Sequence, residues 1–346
     1  MTGRVRLVVE VPPTRVEGSE RLINELADDL SAGGAVEVFR VALSWIARWK
    51  AAFGLAAPGG TAPVLLHYFP IGSLTRGSAV RARLWRGRAA GAPMLLHAFQ
   101  FPRGRFLGGM TARAAVGRAG AVATPSALLA DCLRRVGIRV FQISPGVDCR
   151  WFRPAGLEER AQSRAKLGIQ PEERVVLHVG HAQPGRNLSV LAELTRAGHV
   201  VMFVVSPRFV PDSSVAAELR AAGVRLVTGG LPDIRTAYWA ADSYVFPTVE
   251  SFAAVAVPLS VLEALACGVP VVTTAFDGLP DAIGRDCPGV AWAQPVEMDA
   301  ALRHANAVWA GAGEAIAAAV RSRCDRRVIA GRFVTAYESL LQRDVS

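Results

Sequence analysis

Three stretches of the 346-residue chain bring together residue types that bind phosphates and hydroxyls. In Val179-Gly180-His181-Ala182-Gln183-Pro184-Gly185-Arg186-Asn187 an apolar run gives way to a Gly/Pro turn and then to a helical pattern. Such a turn aims unpaired backbone amides at whatever binds there, and Arg186 at the helix entrance can grip a phosphate bidentately. The segment also reads as an ordinary strand-to-helix turn with a solvated arginine. It is neither a Walker-type phosphate loop nor GxGxxG. The second stretch, Phe246-Pro247-Thr248-Val249-Glu250-Ser251-Phe252, leads through Pro258 into Leu259-Ser260-Val261-Leu262-Glu263-Ala264-Leu265-Ala266-Cys267-Gly268. Pro258 fits a first helical position. Glu263 then falls inside a mostly apolar helix, where a carboxylate buried without a partner is costly. The paired hydroxyls of a ribose would satisfy it, and so would an arginine or a backbone donor. The third stretch, Gln142-Ile143-Ser144-Pro145-Gly146-Val147-Asp148, is a strand end followed by a tight Pro-Gly turn, which alone reads as a linker.

Chemistry of this kind needs a scaffold whose strands end at the ligand. Short apolar runs without alternation, Val64–Tyr68 and Met94–Phe99 among them, predict strands covered on both faces. These two carry His67 and His97 near their ends, and a strand-end histidine taken alone reads as a packed, structural one. Leu22, Ile23, Leu26 and Leu30 are spaced for one buried helix face, Ser44 to Gly59 has a helical look, and Ser126 can cap a helix running to about Val136. After residue 156 the alternation restarts, with strand runs at Val175–Val179, Val200–Val205, Val224–Val227, Ser243–Phe246 and Val269–Thr273 separated by helical segments. Strands alternating with helices in two consecutive series predict an α/β protein of two doubly wound, Rossmann-like parallel-sheet domains. The expected division is 1–152 and 153–325, with a C-terminal helix over 326–346 packing back towards the first domain. In such sheets ligands bind past the carboxyl ends of strands, where the strand order reverses.

Composition narrows the function classes. Hydrophobic residues at 51% and charged residues at 20% exclude a disordered, collagen-like or coiled-coil chain. No apolar run reaches the length of a membrane span, and the N-terminus lacks a signal-peptide core, so a cytoplasmic protein is expected. Five scattered cysteines without a CxxC pair argue against zinc or redox chemistry. His178-x-x-His181 straddles a strand end and reads as packing rather than as a metal site. Charge is lopsided: residues 1–152 hold 20 Lys or Arg against nine Asp or Glu, whereas the remainder holds 19 against 20. Between Glu37 and Asp131 there is no carboxylate at all. A general preference for Arg over Lys does not explain that gap, which suggests a surface for an anionic partner. Nucleic acid is the poorest candidate, since neither a stacking platform nor a helix-turn-helix pattern accompanies the charge.

Taken together, these segments resemble glycosyltransferase family 4, retaining enzymes of the GT-B fold, in which two such domains face a cleft. Gly18-Ser19-Glu20-Arg21 looks like the family's N-terminal glycine loop and "ISPGVDCRWFRP" like its interdomain hinge. "LHVGHAQPGRN" looks like its phosphate turn, and "FPTVESF…LEALACGVPVV…DGLPD" like its donor signature. The resemblance implies a nucleotide-diphosphate sugar as donor, held mostly by the C-terminal domain, with no metal or other cofactor. It implies that Glu263 binds the ribose, that Arg186 neutralises the diphosphate and that His97 approaches the sugar. His181 stands where the family usually has a second basic residue. Glu250 would touch the sugar across an insertion, because twelve residues separate it from Glu263 where the family has seven; an ungapped reading puts Val255 there instead. Gly18, Asn187, Leu231, Ser251, Phe252 and Leu259 complete the implied donor site. The implied reaction displaces the nucleoside diphosphate with retention, the leaving phosphate helping to deprotonate the acceptor hydroxyl. The acceptor, a sugar or a lipid-linked molecule, would sit on the basic N-terminal domain. There five arginines from Arg76 to Arg88 suggest a helix lying on an anionic membrane surface. The rival reading is a non-catalytic protein that keeps the fold and binds only a nucleotide or a partner, and a GT-B epimerase or phosphorylase is a further one.

Overall fold

In the computed structural model, residues 5–10, 18–32, 34, 36–41, 50, 64–70, 76–89, 92–99, 108–206 and 211–342 are described. Two units divide the chain: Met1–Gly146 with Arg326–Ser346, and Val147–Asp325.

The first unit runs β1 (Val5–Val9), α1 (Gly18–Ser31), β2 (Val36–Arg40), β3 (Leu65–Phe69), α2 (Arg76–Arg88), β4 (Met94–His97), α3 (Gly108–Val116), β5 (Ala121–Thr124), α4 (Ala127–Arg135) and β6 (Val140–Gln142). Its strands form one parallel sheet in the order β2-β1-β3-β4-β5-β6. Side chains of a strand alternate between faces, so Leu66, Tyr68, Met94 and Leu96 enter one core with Ala79, Ala82, Ala112 and Leu129. The intervening His67, Phe69 and His97 meet Phe333 of the C-terminal helix Arg326–Leu341. The four residues expected on the buried face of α1 are all buried, and Ser126 Oγ accepts the Leu129 amide at 3.0 Å as the cap of α4. The helix expected over 44–59 lies outside the described residues, apart from residue 50.

The basic helix α2 differs from expectation. Arg81 is buried and donates to both oxygens of Glu10, at 2.7 and 3.0 Å, while the Tyr68 hydroxyl donates to the same carboxylate. Trp85 is buried and Arg86 Nη1 is tucked beneath Gly117. Only Arg83 and Arg88 are exposed among the described side chains of the five arginines, that of Arg76 lying outside them. The reason is that Glu10, one of the unit's few carboxylates, is buried at the end of β1 and claims Arg81 across 71 residues of sequence.

The second unit runs α5 (Leu157–Lys166), β7 (Val175–Gly180), α6 (Ser189–Arg196), β8 (Val200–Val205), α7 (Ser213–Ala221), β9 (Arg225–Val227), α8 (Arg235–Ala240), β10 (Ser243–Phe246), α9 (Leu259–Ala266), β11 (Val271–Thr273), α10 (Leu279–Ile283), β12 (Val290–Trp292), α11 (Met298–Val308) and α12 (Gly313–Cys324). All strands are parallel, in the order β12-β11-β10-β7-β8-β9. Val175, Leu177, Tyr244 and Val271 face one core, and Val176, Val245 and Val272 the other, so both faces are covered. The chain winds outward from β7 to β9 and then returns to the opposite side of β7 with β10. The order therefore reverses between β7 and β10.

The two crossings between the units run side by side. Val147 pairs with Asp325 in a parallel bridge and its amide donates to Cys324 O at 2.8 Å. A Cβ on Gly146 would lie 2.5 Å from Arg326 Cα, so only glycine allows that approach. Residues 147–152 consequently belong with the second unit, where Phe152 is buried edge-on to Tyr238 and the Arg235 guanidinium sits 3.6 Å above the Trp151 ring. Among the described residues no helix is long and apolar enough to cross a membrane.

Candidate functional site

The loops after β7 and β10 flank the strand-order reversal, and two hydrogen bonds zip them together. Asn187, in the left-handed region at φ 56°, donates from Nδ2 to Pro247 O at 3.2 Å. Thr248 donates from Oγ1 to Arg186 O at 3.3 Å, while Thr274 Oγ1 donates to Thr248 O at 2.5 Å. The first loop is also pinned to the end of β8, because Ser206 and Asp212 amides donate to Gly180 O and Ala182 O, each at 2.8 Å. The Asn187 side chain thus holds the loop rather than reaching outward.

Arg186 is the cation of this junction. It has no carboxylate partner among the described residues, and burial pulls its guanidinium below the ordinary arginine pKa, with Tyr244 acting the other way. Its Nη2 donates to His181 Nδ1 at a long 3.5 Å. Beneath it, His178 is fully buried and donates from Nδ1 to Val245 O at 2.8 Å, and desolvation lowers its pKa to about 4. Space is supplied by Gly180: a Cβ there would lie 3.1 Å from Arg186 Nη1 and 3.4 Å from His178 Nε2. The Tyr244 hydroxyl lies 2.7 Å from Ser260 Oγ and 3.3 Å from Val179 O, tying α9 to the end of β7. A desolvated guanidinium facing neutral side chains at a strand-order reversal is chemically an anion site.

Glu263 is buried within α9, as its apolar surroundings predict, and Tyr238 donates its hydroxyl to Oε2 at 2.7 Å. A tyrosine of α8 is thus one partner of this buried carboxylate. Pro258 is the N-cap of α9, one position earlier than expected, so Leu259 opens the helix and is half-buried against the core. Leu231 is likewise half-buried against that core. Glu250 is exposed on the loop after β10, its carboxylate without a hydrogen-bond partner among the described residues. The neighbouring turn closes from Ala253 N to Glu250 O at 2.9 Å. Ser251 is half-buried in this turn, and Phe252 is exposed with its ring edge against Gly185. Arg186, His181, Asn187 and the 250–252 turn therefore gather on one side of the second unit's sheet. His178, Gly180, Tyr238, Tyr244 and Thr248 join them without having been singled out as site residues. Tyr238 lies within α8 and carried no such signal; for the others the signal was a position at or near a strand end, which periodicity alone does not separate from packing.

In the first unit, Gly18 begins α1. His97 ends β4 and stacks on Phe69 at 4.0 Å between ring centroids, with Phe99 at 4.3 Å. Neither of its ring nitrogens has a hydrogen-bond partner among the described residues, and it lines a small hollow with Leu26, Ser144, Arg326 and Phe333. Burial holds its pKa well below the ordinary histidine value, helped by neighbouring His67. His67 shares a 2.6 Å hydrogen bond with the Tyr337 hydroxyl of the C-terminal helix.

Comparison with known proteins adds a family pattern. The sequence profile of Glycosyl transferases group 1 matches residues 173–307, a stretch that includes Arg186, Glu250 and Glu263. The D-inositol 3-phosphate glycosyltransferase of Segniliparus rotundus is 36% identical over 162 residues, which are 43% of this chain and 34% of that protein. The chain thus spans only about a third of the length of that curated relative. Among solved structures, the sucrose-phosphate synthase of Thermosynechococcus elongatus is similar with a TM-score of 0.73 at 18% identity, covering 99% of this chain and all of the other. The Anabaena protein HepE, in complex with UDP and glucose, gives 0.70 at 16%, covering 97% and 100%. Both halves of the chain are therefore doubly wound sheets of the GT-B kind, and residues 173–307 of the second carry the sequence pattern of Glycosyl transferases group 1.

Proposed function

We propose that this protein is a glycosyltransferase that moves a sugar from a nucleoside-diphosphate sugar to an acceptor hydroxyl. The observation that carries the reading is Arg186, a desolvated guanidinium with no carboxylate partner among the described residues, where the strand order of the second unit reverses. A diphosphate supplies the missing anion. Glu263, held by Tyr238, accepts the ribose hydroxyls, and Glu250 contacts the sugar. Negative charge developing on the departing phosphate is stabilised by Arg186, which is more effective in a desolvated site than in water. The reaction retains configuration, needs no metal, and uses the leaving phosphate to take the acceptor proton, as in family 4. HepE, of the same fold, was solved with UDP and glucose, which supports a nucleotide-sugar donor and leaves the base open. The acceptor is a sugar or a lipid-linked molecule bound by the first unit, with Arg83 and Arg88 as its exposed cations on α2.

Thermal-shift titration with a panel of nucleoside diphosphates tests the binding half of this reading, since a ligand specific to the folded state raises its stability. Wild type is stabilised by at least one, whereas Arg186→Ala and Glu263→Ala, if folded, are not. A folded wild type that none of them stabilises refutes the proposal. A second reading, a protein that binds the nucleotide without turnover, is favoured by His181 in place of a second fixed cation. Stabilisation without release of sugar or diphosphate from any nucleotide sugar in the panel would establish it.

A further inference from the structure

The site contains one buried polar atom that the reading above leaves unused. His178 Nε2 is buried with no hydrogen-bond partner among the described residues, and an orphaned buried acceptor is unfavourable unless something compensates it. The tautomer is fixed by geometry: Nδ1 donates to Val245 O, so Nε2 of the neutral ring carries the lone pair. Nε2 and the Arg186 guanidinium border the same small volume, the one a side chain at residue 180 would fill. The ring itself cannot turn away, being packed edge-on against Phe203 at 4.9 Å and alongside Tyr244 at 6.1 Å.

We propose that His178 is a positioning residue for Arg186: its Nε2 lone pair, bordering the same space over Gly180 as the guanidinium but not hydrogen-bonded to it, attracts the cation towards the end of β7 so that its N–H groups meet a diphosphate. The inference rests on the reading of Arg186 as the diphosphate ligand. A neutral acceptor suits this task better than a carboxylate, because a carboxylate would neutralise the cation it holds and weaken its pull on a phosphate. His181 acts on the same guanidinium by direct contact, accepting from Nη2 at a long 3.5 Å. Gly180 is the third part of the device, leaving the gap open. An added methyl there is tight against the far end of a flexible arginine, so it displaces the guanidinium at little cost to the fold.

Calorimetric titration with UDP, GDP and inorganic pyrophosphate tests the proposal on four proteins: wild type, His178→Phe, His178→Gln and Gly180→Ala. Phenylalanine keeps the ring packing and removes the acceptor, whereas glutamine can put an oxygen where Nε2 lies. His178→Phe and Gly180→Ala are expected to weaken the diphosphate that wild type binds by about tenfold, with His178→Gln restoring most of the affinity. Phenylalanine and glutamine variants that bind equally well, at unchanged melting temperature, overturn the positioning role while leaving the diphosphate site intact. If Arg186→Ala binds as tightly as wild type, the reading of Arg186 falls and the inference with it.

Discussion

Lowering the pH from 7.5 to 5.0 should destabilise this protein through three buried histidines, in a window where its carboxylates barely titrate. Burial depresses the pKa of His67 from 6.5 to about 3 and of His178 from 6.5 to about 4, and pushes His97 well below the ordinary value. The folded state therefore keeps these rings neutral while the unfolded chain takes up protons. A group of this kind contributes its full stability above the unfolded pKa of 6.5 and loses it as the pH falls towards the folded value. At pH 5.0 each of His67 and His178 costs about 2 kcal/mol, and His97 adds a contribution of the same sign. His67 and His178 together, about 4 kcal/mol, approach the entire stability of a marginal domain. The effect is divided: His67 and His97 belong to the first unit and His178 to the second. Urea unfolding followed by tryptophan fluorescence at half-unit pH steps measures it. The slope in His178→Phe should be shallower than in wild type by one proton, a change that lost packing alone does not produce. Equal stability at pH 7.5 and 5.0, within about 1 kcal/mol, would show that these rings are not desolvated as described.

Other perturbations probe separate parts of the molecule. Tyr238→Phe removes the hydroxyl that satisfies Glu263 and should cost about 1–3 kcal/mol in urea unfolding, with weakened nucleotide binding alongside. Arg81→Ala leaves Glu10 buried without its cation and should cost about 3–5 kcal/mol. By contrast, the Arg83→Ala/Arg88→Ala pair should leave stability near wild type and lower co-sedimentation with anionic vesicles at low salt. Unchanged sedimentation removes α2 as a membrane-facing element. Gly146→Ala forces a methyl against the Arg326 backbone and should destabilise by about 1–3 kcal/mol, read as a drop in melting temperature.

The central strands of both sheets were legible in the sequence because each is a short apolar run bounded by turn residues, and a strand buried on both faces needs nothing else, whereas the half-buried edge strand β12 (Val290–Trp292) was not foreseen. The Ser126 cap and the burial of Leu22, Ile23, Leu26 and Leu30 followed from local spacing in the same way. What escaped was pairing at a distance. Nothing in the neighbourhood of Arg81 marks it as the partner of Glu10, so a helix read as a basic surface has one of its arginines in the core. Glu263 was recognisable as a buried carboxylate, yet Tyr238 was not recognisable as its donor, since α8 and α9 meet only through the folded sheet. His178 read as packing for the same reason: its tautomer and its orphaned Nε2 follow from Val245 and Gly180, not from its own neighbours in sequence. The join between the units lay earlier than the Pro and Phe residues around 152 suggested, because those residues are recruited by α8.

The return of the C-terminal helix has a consequence for how the chain is made. Phe333 and Tyr337 cover His67, Phe69 and His97, so residues 1–146 emerge from the ribosome before the helix that covers these side chains exists. The Val147–Asp325 stretch, continuous in sequence, can close its own core first, and the segment before it must wait for helix Arg326–Leu341 before its histidines are shut away from water.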